Sequence, residues 1–259
     1  MMSMPDPQPN DAFVWTQEPW GRALRCTRFP APHLFTSRDL RLRHDENEWR
    51  GVAGSLGVTP DRLLLVRQLH GTAVAIATRG DTAGWQRPDA DAIITDDPEV
   101  AIGVLVADCA PILLWDPASR VAAAVHAGWR GSAAGIVVSA VNALTTTFGS
   151  RPTDLVAAIG PCLGRCCGEV GPEVVAAFES RFPHAAAAWF SPGSGDRSLL
   201  DLARANGDQL ALTGVNPARV FHSGLCTKTH AERLHSFRGA GAEAGRMLAA
   251  VRIQTSLIN

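Results

Sequence analysis

The chain has 259 residues, of which 46% are hydrophobic and 19% charged, with 24 basic side chains against 25 acidic ones. That is enough apolar material for one sizeable core, and the near-zero net charge leaves no global footprint for nucleic acid or an anionic membrane. Tyrosine is absent and Lys228 is the only lysine, so tyrosine catalysis is excluded and Schiff-base chemistry has one candidate, while six cysteines and eight histidines remain available.

Residues 1–10 are polar and proline-rich and lack the basic start, apolar run and small-residue cleavage site of a secretory signal. They read as a flexible tail ahead of a single domain over 11–259. No stretch reaches the roughly 18 uninterrupted apolar residues of a membrane span, because Asp108 and His126 interrupt the two best ones. A soluble, cytoplasmic chain is expected, with its cysteines serving as free thiols or metal ligands rather than disulfides.

Strand-length apolar runs recur at 62–67, 73–78, 100–106, 111–115 and 121–126, separated by turn-forming residues. Residues 131–148 are small and apolar without proline and stop at Gly149, which predicts a buried helix. A strand over 154–159 follows. A helix over 172–182 has Pro172 near its start and Glu173 in its first turn. The next helix, 201–212, is capped by Asp201 and carries Leu202, Ala205, Gln209 and Leu212 on one face. Residues 218–222 suit a strand, and 247–253 fit strand or helix. No G-x-G-x-x-G follows a first strand, so a dinucleotide fold lacks its signature, and the mixture of elements points to an α+β architecture.

Three segments place a metal-capable or nucleophilic side chain at the end of an apolar strand beside a small residue. They are Gln68-Leu69-His70-Gly71, Ala107-Asp108-Cys109-Ala110-Pro111 and Ala124-Val125-His126-Ala127-Gly128-Trp129-Arg130-Gly131. Two imidazoles and a thiolate would leave a fourth tetrahedral position on zinc for water or substrate. Two hydrogen-bonded core histidines and a packed cysteine account for the same residues equally well. A third reading needs no metal: Cys109 and His126 as a thiolate and imidazole pair, with Asp108 or Gln68 as orienter. Arg130, at the predicted helix start, suits phosphate or another anion, or else a carboxylate partner in a simple turn. The run from Ile159 to Gly171 holds Cys162, Cys166 and Cys167; a vicinal pair is poorly spaced for one metal, so free thiols are expected. Cys226-Thr227 and Ser236-Phe237-Arg238 are further polar candidates near the carboxyl end.

Taken together, these segments resemble the YfiH family, the laccase-domain or polyphenol-oxidase family of purine nucleoside phosphorylases. Besides the three strand-end segments, the likeness rests on Ala90-Asp91-Ala92, Ile159-Gly160-Pro161-Cys162-Leu163-Gly164, Asp201-Leu202, Cys226-Thr227 and Gly245-Arg246-Met247, in the family's order over 62–253. The resemblance implies an α/β/β/α sandwich with mixed sheets in one compact domain. It implies Zn(II) held by His70, Cys109 and His126, with Asp108 as a further catalytic residue and Gln68, Arg130 and Arg238 toward substrate or phosphate. The implied chemistry is phosphorolysis of adenosine, inosine and methylthioadenosine to free base and pentose 1-phosphate, with adenosine deamination beside it, in a homodimer. The chain departs from the family pattern where Phe35-Thr36-Ser37-Arg38 runs on without glycines, where Gly168 replaces a tyrosine after the paired cysteines, and at His235, where an aromatic usually precedes the Ser-x-Arg motif.

Other functions predict different signatures. A copper-dependent polyphenol oxidase with a trinuclear cluster uses repeated His-x-His pairs, whereas His33, His44, His70, His126, His184, His222, His230 and His235 are dispersed with no such pair. Cu(II) would still bind a His, Cys, His site more tightly than zinc. A metal-free cysteine hydrolase or amidase built on Cys109 and His126 would form a covalent adduct at Cys109. A non-enzymatic factor in peptidoglycan quality control would bind a ligand without turning it over.

Overall fold

The structure is a computed structural model and describes residues 6–80 and 82–253. Residues 1–5 of the segment read as a tail and 254–259 at the end of the domain span lie outside these. Two six-stranded sheets stack face to face. The first runs Phe13–Glu18, Gly21–Cys26, His33–Thr36, Met247–Arg252, Ala101–Val106, Leu63–Leu64 in spatial order; the second runs Val220–His222, Val156–Ile159, Ala110–Asp116, Val121–Ala127, Ala92–Thr95, Val74–Ala77. Each sheet mixes parallel and antiparallel neighbours.

Three apolar layers follow. Between the sheets, Phe35, Ile102, Val104 and Val251 of the first meet Ile93, Leu113, Trp115 and Ala124 of the second. Behind the second sheet, Ile94, Ile112, Leu114 and Val125 pack on Ile136, Val137, Val141 and Leu144 of the helix Ile136–Phe148. Behind the first, Leu34, Leu248 and Ala250 pack on Val52 and Ala53 of the helix Glu46–Ser55. The result is the α/β/β/α sandwich that the resemblance implied. Ala110–Asp116 and Val121–Ala127 are buried at every position. Covered on both faces, they are apolar almost throughout instead of alternating, which made them legible as runs.

Several elements differ from expectation. The single helix expected over 131–148 is two, Trp129–Ala134 and Ile136–Phe148, broken at Gly135, whose φ of +87° is left-handed. The ambiguous 247–253 is a strand, paired antiparallel on both sides. Only Leu63–Leu64 of the run 62–67 is strand. Leu212, placed on the apolar face of its helix, is 63% exposed, while Gln209 is buried and donates its side-chain amide to the Ser132 carbonyl at 3.0 Å. The first three strands and the helix Glu46–Ser55 had no sequence prediction. The segment read as a loose tail is held from Asp6 onward: Asp6 pairs with Arg22 and Arg233, Pro7 accepts from the Trp15 indole, and Asn10 bonds the Ser223 and His222 carbonyls. Among the described residues no helix is long and apolar enough to cross a membrane.

Candidate functional site

The hairpin Ala110–Asp116 and Val121–Ala127 pairs Pro111 with His126 and Ala110 with Ala127. Its register therefore brings Cys109, just before the first strand, to the end of the second. His70 arrives from the loop that precedes Val74–Ala77. The donor atoms of His70, Cys109 and His126 all lie within 4.8 Å of one another, with the two rings nearly perpendicular at 86°. His126 is buried, Cys109 half-buried and His70 exposed, so the group has a floor and an open mouth. His70 and Asp108 both have left-handed φ, +61° and +86°. Such strain in non-glycine residues persists only where surrounding contacts hold it, and it gathers at functional sites.

Gly128 keeps the space among these donors clear. A Cβ there would sit 2.9 Å from Cys109 Sγ and 3.0 Å from His70 Cδ2. Two imidazoles and one thiolate, all facing a space that only glycine leaves open, fit a tetrahedral Zn(II) with a free fourth position.

Asp91, buried at 1% exposure, organises the donors. Its Oδ1 lies 2.8 Å from His126 Nδ1, and its carboxylate accepts from the backbone N–H groups of Leu69, His70 and Gly71 at 3.2, 2.9 and 2.7 Å. Its own carbonyl accepts from the His126 backbone N–H. The carboxylate keeps the Nδ1 proton in place and leaves Nε2 as the donor toward a metal. Burial opposes ionisation of Cys109, but hydrogen bonds from His126 and His70 outweigh it and bring the thiol down to about 7. Burial likewise opposes a charged His126, and Asp91 with Cys109 overcomes it, raising the imidazole to about 9. The residue that orients His126 is thus Asp91, which the sequence supplied only as part of the family likeness.

The two expected orienters are engaged elsewhere. Gln68 pairs with a strand, its amide donating to the Leu105 carbonyl at 2.7 Å and its oxygen accepting the Leu105 N–H at 2.8 Å. The Asp108 carboxylate accepts from Thr227 Oγ1 and from the Arg238 backbone N–H, both at 2.5 Å. Both residues still line the cavity above the donors, a space of about 700 Å³. Arg130, Arg238 and Arg246 border the same cavity, with an apolar wall that includes Val66, Leu163, Val170, Leu200 and Phe237. Arg130 stacks on Trp129, 4.3 Å above the ring, and among the described residues no carboxylate pairs with it as its simpler reading allowed. Its helix is only six residues long, so the positive character here resides in the guanidinium groups.

Of the departures noted in the sequence, Gly168 lines this cavity, and a Cβ there would lie 2.6 Å from the Leu200 carbonyl, so the loop packs closer than a side chain permits. His235 is buried away from it, bonded to the Leu40 carbonyl and the Gly245 N–H.

Residues 35–254 match the family profile described as multi-copper polyphenol oxidoreductase laccase. The chain belongs to this family. It is 38% identical over 185 residues to a purine nucleoside phosphorylase of Streptomyces coelicolor, covering 70% of this chain and 72% of the relative. It is 31% identical over 209 residues to the purine nucleoside phosphorylase YlmD of Geobacillus stearothermophilus, covering 78% and 76%. The crystal structure of YlmD from Geobacillus stearothermophilus superposes with a TM-score of 0.86 at 28% identity, over 93% of this chain and 99% of that one. Despite the family's description, the metal-capable clusters among the described residues are His70, Cys109, His126 and the thiol group Cys166, Cys167, Cys226. Neither offers the histidine-rich environment of a trinuclear copper centre.

Proposed function

We propose that the protein is a zinc-dependent purine nucleoside phosphorylase that converts adenosine, inosine and methylthioadenosine to free base and pentose 1-phosphate, and that it also deaminates adenosine. The names carried by its relatives support the reaction class. The observation that carries the reading is one cavity joining a His, Cys, His donor set to three guanidinium groups and an apolar wall.

His70, Cys109 and His126 would hold the ion, which when bound supplies Lewis acidity at the cavity floor. Phe237, 54% exposed, offers a face for the purine, and Leu163, Val170 and Leu200 shield it from water. Arg130 supplies a charge for phosphate, with Arg238 and Arg246 beside it. Asp108 holds the backbone of Arg238 and so positions that side chain against the cavity. Asp91 retains the His126 Nδ1 proton through the cycle, since the bond is buried and three backbone N–H groups of the 69–71 loop hold the same carboxylate in place.

The decisive experiment compares metal-stripped and zinc-reconstituted protein on the three nucleosides with phosphate, separating free base, pentose 1-phosphate and inosine by chromatography. Turnover that needs zinc and falls at least a hundredfold in Cys109→Ala is expected. Cys109, His126 and Asp91 also line up as a thiol, imidazole and carboxylate series, which favours the metal-free hydrolase as the second reading. Full turnover by stripped protein would select it. Copper-dependent phenol oxidation without nucleoside turnover would select the oxidase. A homodimer belongs to the same proposal, and sedimentation tests it.

A further inference from the structure

The second group of donors is built entirely of sulfur. Cys166 and Cys167 sit in the tight turn after Gly164, closed by the Cys167 N–H to the Gly164 carbonyl at 3.0 Å. Cys226 comes from a segment about sixty residues later, joined to Cys162 by a parallel bridge. All three sulfurs lie within 4.8 Å of one another, and Cys166 Sγ is 3.7 Å from Cys167 Sγ. Two thiolates each about 2.3 Å from one tetrahedral ion stand about 3.8 Å apart, so the vicinal pair already has the required spacing.

Gly164 makes this convergence possible. A Cβ there would lie 3.0 Å from Cys226 Cβ, 3.4 Å from Cys226 Sγ and 3.5 Å from Cys166 Sγ. The place is distinct from the nucleoside cavity: Cys166 and Cys226 border a separate recess of about 470 Å³ that also includes Asp201, Asp208 and His222. The sequence expectation of unconnected thiols rested on the vicinal pair alone. It had no means of adding Cys226.

We propose that Cys166, Cys167 and Cys226 form a second metal site, which takes a thiophilic closed-shell cation, Zn(II) or Cu(I). Three sulfur donors without nitrogen or carboxylate select soft ions, and the recess leaves a fourth position for water or a ligand. Binding exchanges thiol protons for metal–sulfur bonds and changes no oxidation state. The ion fastens the loop that supplies Leu163 and Gly168 to the nucleoside cavity, and the same loop's Cys167 carbonyl accepts from Arg238 Nη1 at 3.3 Å. The ion thus acts as a staple behind the cavity wall, with its fourth position facing the recess.

The test titrates reduced, metal-stripped full-length protein with Zn(II) against a chromogenic chelator, for the wild type, Cys166→Ser, Cys226→Ser and Cys109→Ser. Each of the two thiol-site variants is expected to bind one equivalent fewer than the wild type. With Co(II) as a second probe, the equivalent lost should carry thiolate-to-metal absorption roughly three times that of the site lost in Cys109→Ser. Comparing the wild type with the thiol variants reads this site alone, whatever Cys109→Ser shows about the first. Cys166 is exposed, so its serine variant keeps the fold. Unchanged zinc uptake in Cys166→Ser overturns the proposal, as does a wild type in which these thiols pair as a disulfide under air and take up no ion when reduced.

Discussion

Asp91 Oδ1 lies 2.8 Å from His126 Nδ1 while the same carboxylate gathers the backbone of 69–71, so one buried acid positions two of the three donors. Asp91→Asn keeps the volume but replaces an acceptor with a donor at one position. Zinc affinity is expected to fall about 10–100-fold, as for other outer partners of metal-bound histidines. Asp91→Ala leaves the buried His126 imidazole and the part-buried N–H groups of 69–71 unpaired and should lower unfolding free energy by on the order of 3 kcal/mol. Competitive zinc titration and urea melts measure the two effects, and wild-type affinity in the asparagine variant would remove Asp91 from the site.

Gly128 tests the shape of the site without replacing a donor. Its φ and ψ of −73° and 167° are open to any residue, so Gly128→Ala strains no backbone. The added methyl meets Cys109 Sγ and His70 Cδ2. Zinc affinity should drop about tenfold or more, with circular dichroism unchanged, because sites tolerate displacements of only about 0.5 Å. Normal zinc binding by this variant would show that the donors converge elsewhere.

Under the proposed function, Arg130 and Arg238 are expected to separate substrate binding from loop support. Arg130→Ala should raise the KM for phosphate about tenfold, as loss of one charge-assisted bond predicts, and leave the nucleoside KM within about twofold. The Arg238 guanidinium donates to the Cys167 and Glu169 carbonyls. Arg238→Ala should therefore change both constants, through the wall as well as the charge. Steady-state kinetics with each substrate varied in turn distinguishes the two patterns; identical behaviour of the variants would contradict this division.

His33 makes the fold sensitive to acid. Burial lowers its pKa from 6.5 to about 4, and the ring is neutral in the fold, with Nδ1–H donating to the Ala31 carbonyl at 2.7 Å and Nε2 accepting the Cys26 N–H at 2.8 Å. Between these values the unfolded chain binds a proton that the native state does not. Stability from this group is complete above about pH 6.5 and is lost as pH falls toward 4. From about pH 7 to about pH 5 the loss is about 2 kcal/mol. His33→Phe should be less stable at neutral pH but show that much less further loss on acidification, measured by urea unfolding at both pH values. An unchanged pH slope would exclude His33 as the source.

The strands Ala110–Asp116 and Val121–Ala127, covered on both faces, were readable because they leave no polar alternation, whereas Ala92–Thr95, equally buried but only four residues long, carried no prediction. The first three strands were not readable either. Phe13–Glu18 and Gly21–Cys26 lie toward one edge of their sheet, with Val14 exposed and charged residues interspersed, so no apolar run marks them. The helix Glu46–Ser55 buries only Val52 and Ala53, too little for a periodic signal, although Asp45 caps it.

Residue chemistry along the chain singled out His70, Cys109 and His126 as candidates, with the glycines beside them, and showed the lack of a multicopper histidine pattern. Tertiary structure decided which groups meet. Asp91 replaces Asp108 and Gln68 at His126, and Cys226 joins Cys166 and Cys167, because sheet pairing and loop closure bring together side chains tens of residues apart. Local propensity records whether a residue leaves a strand or caps a helix; the partner across a sheet depends on register, which no local signal contains.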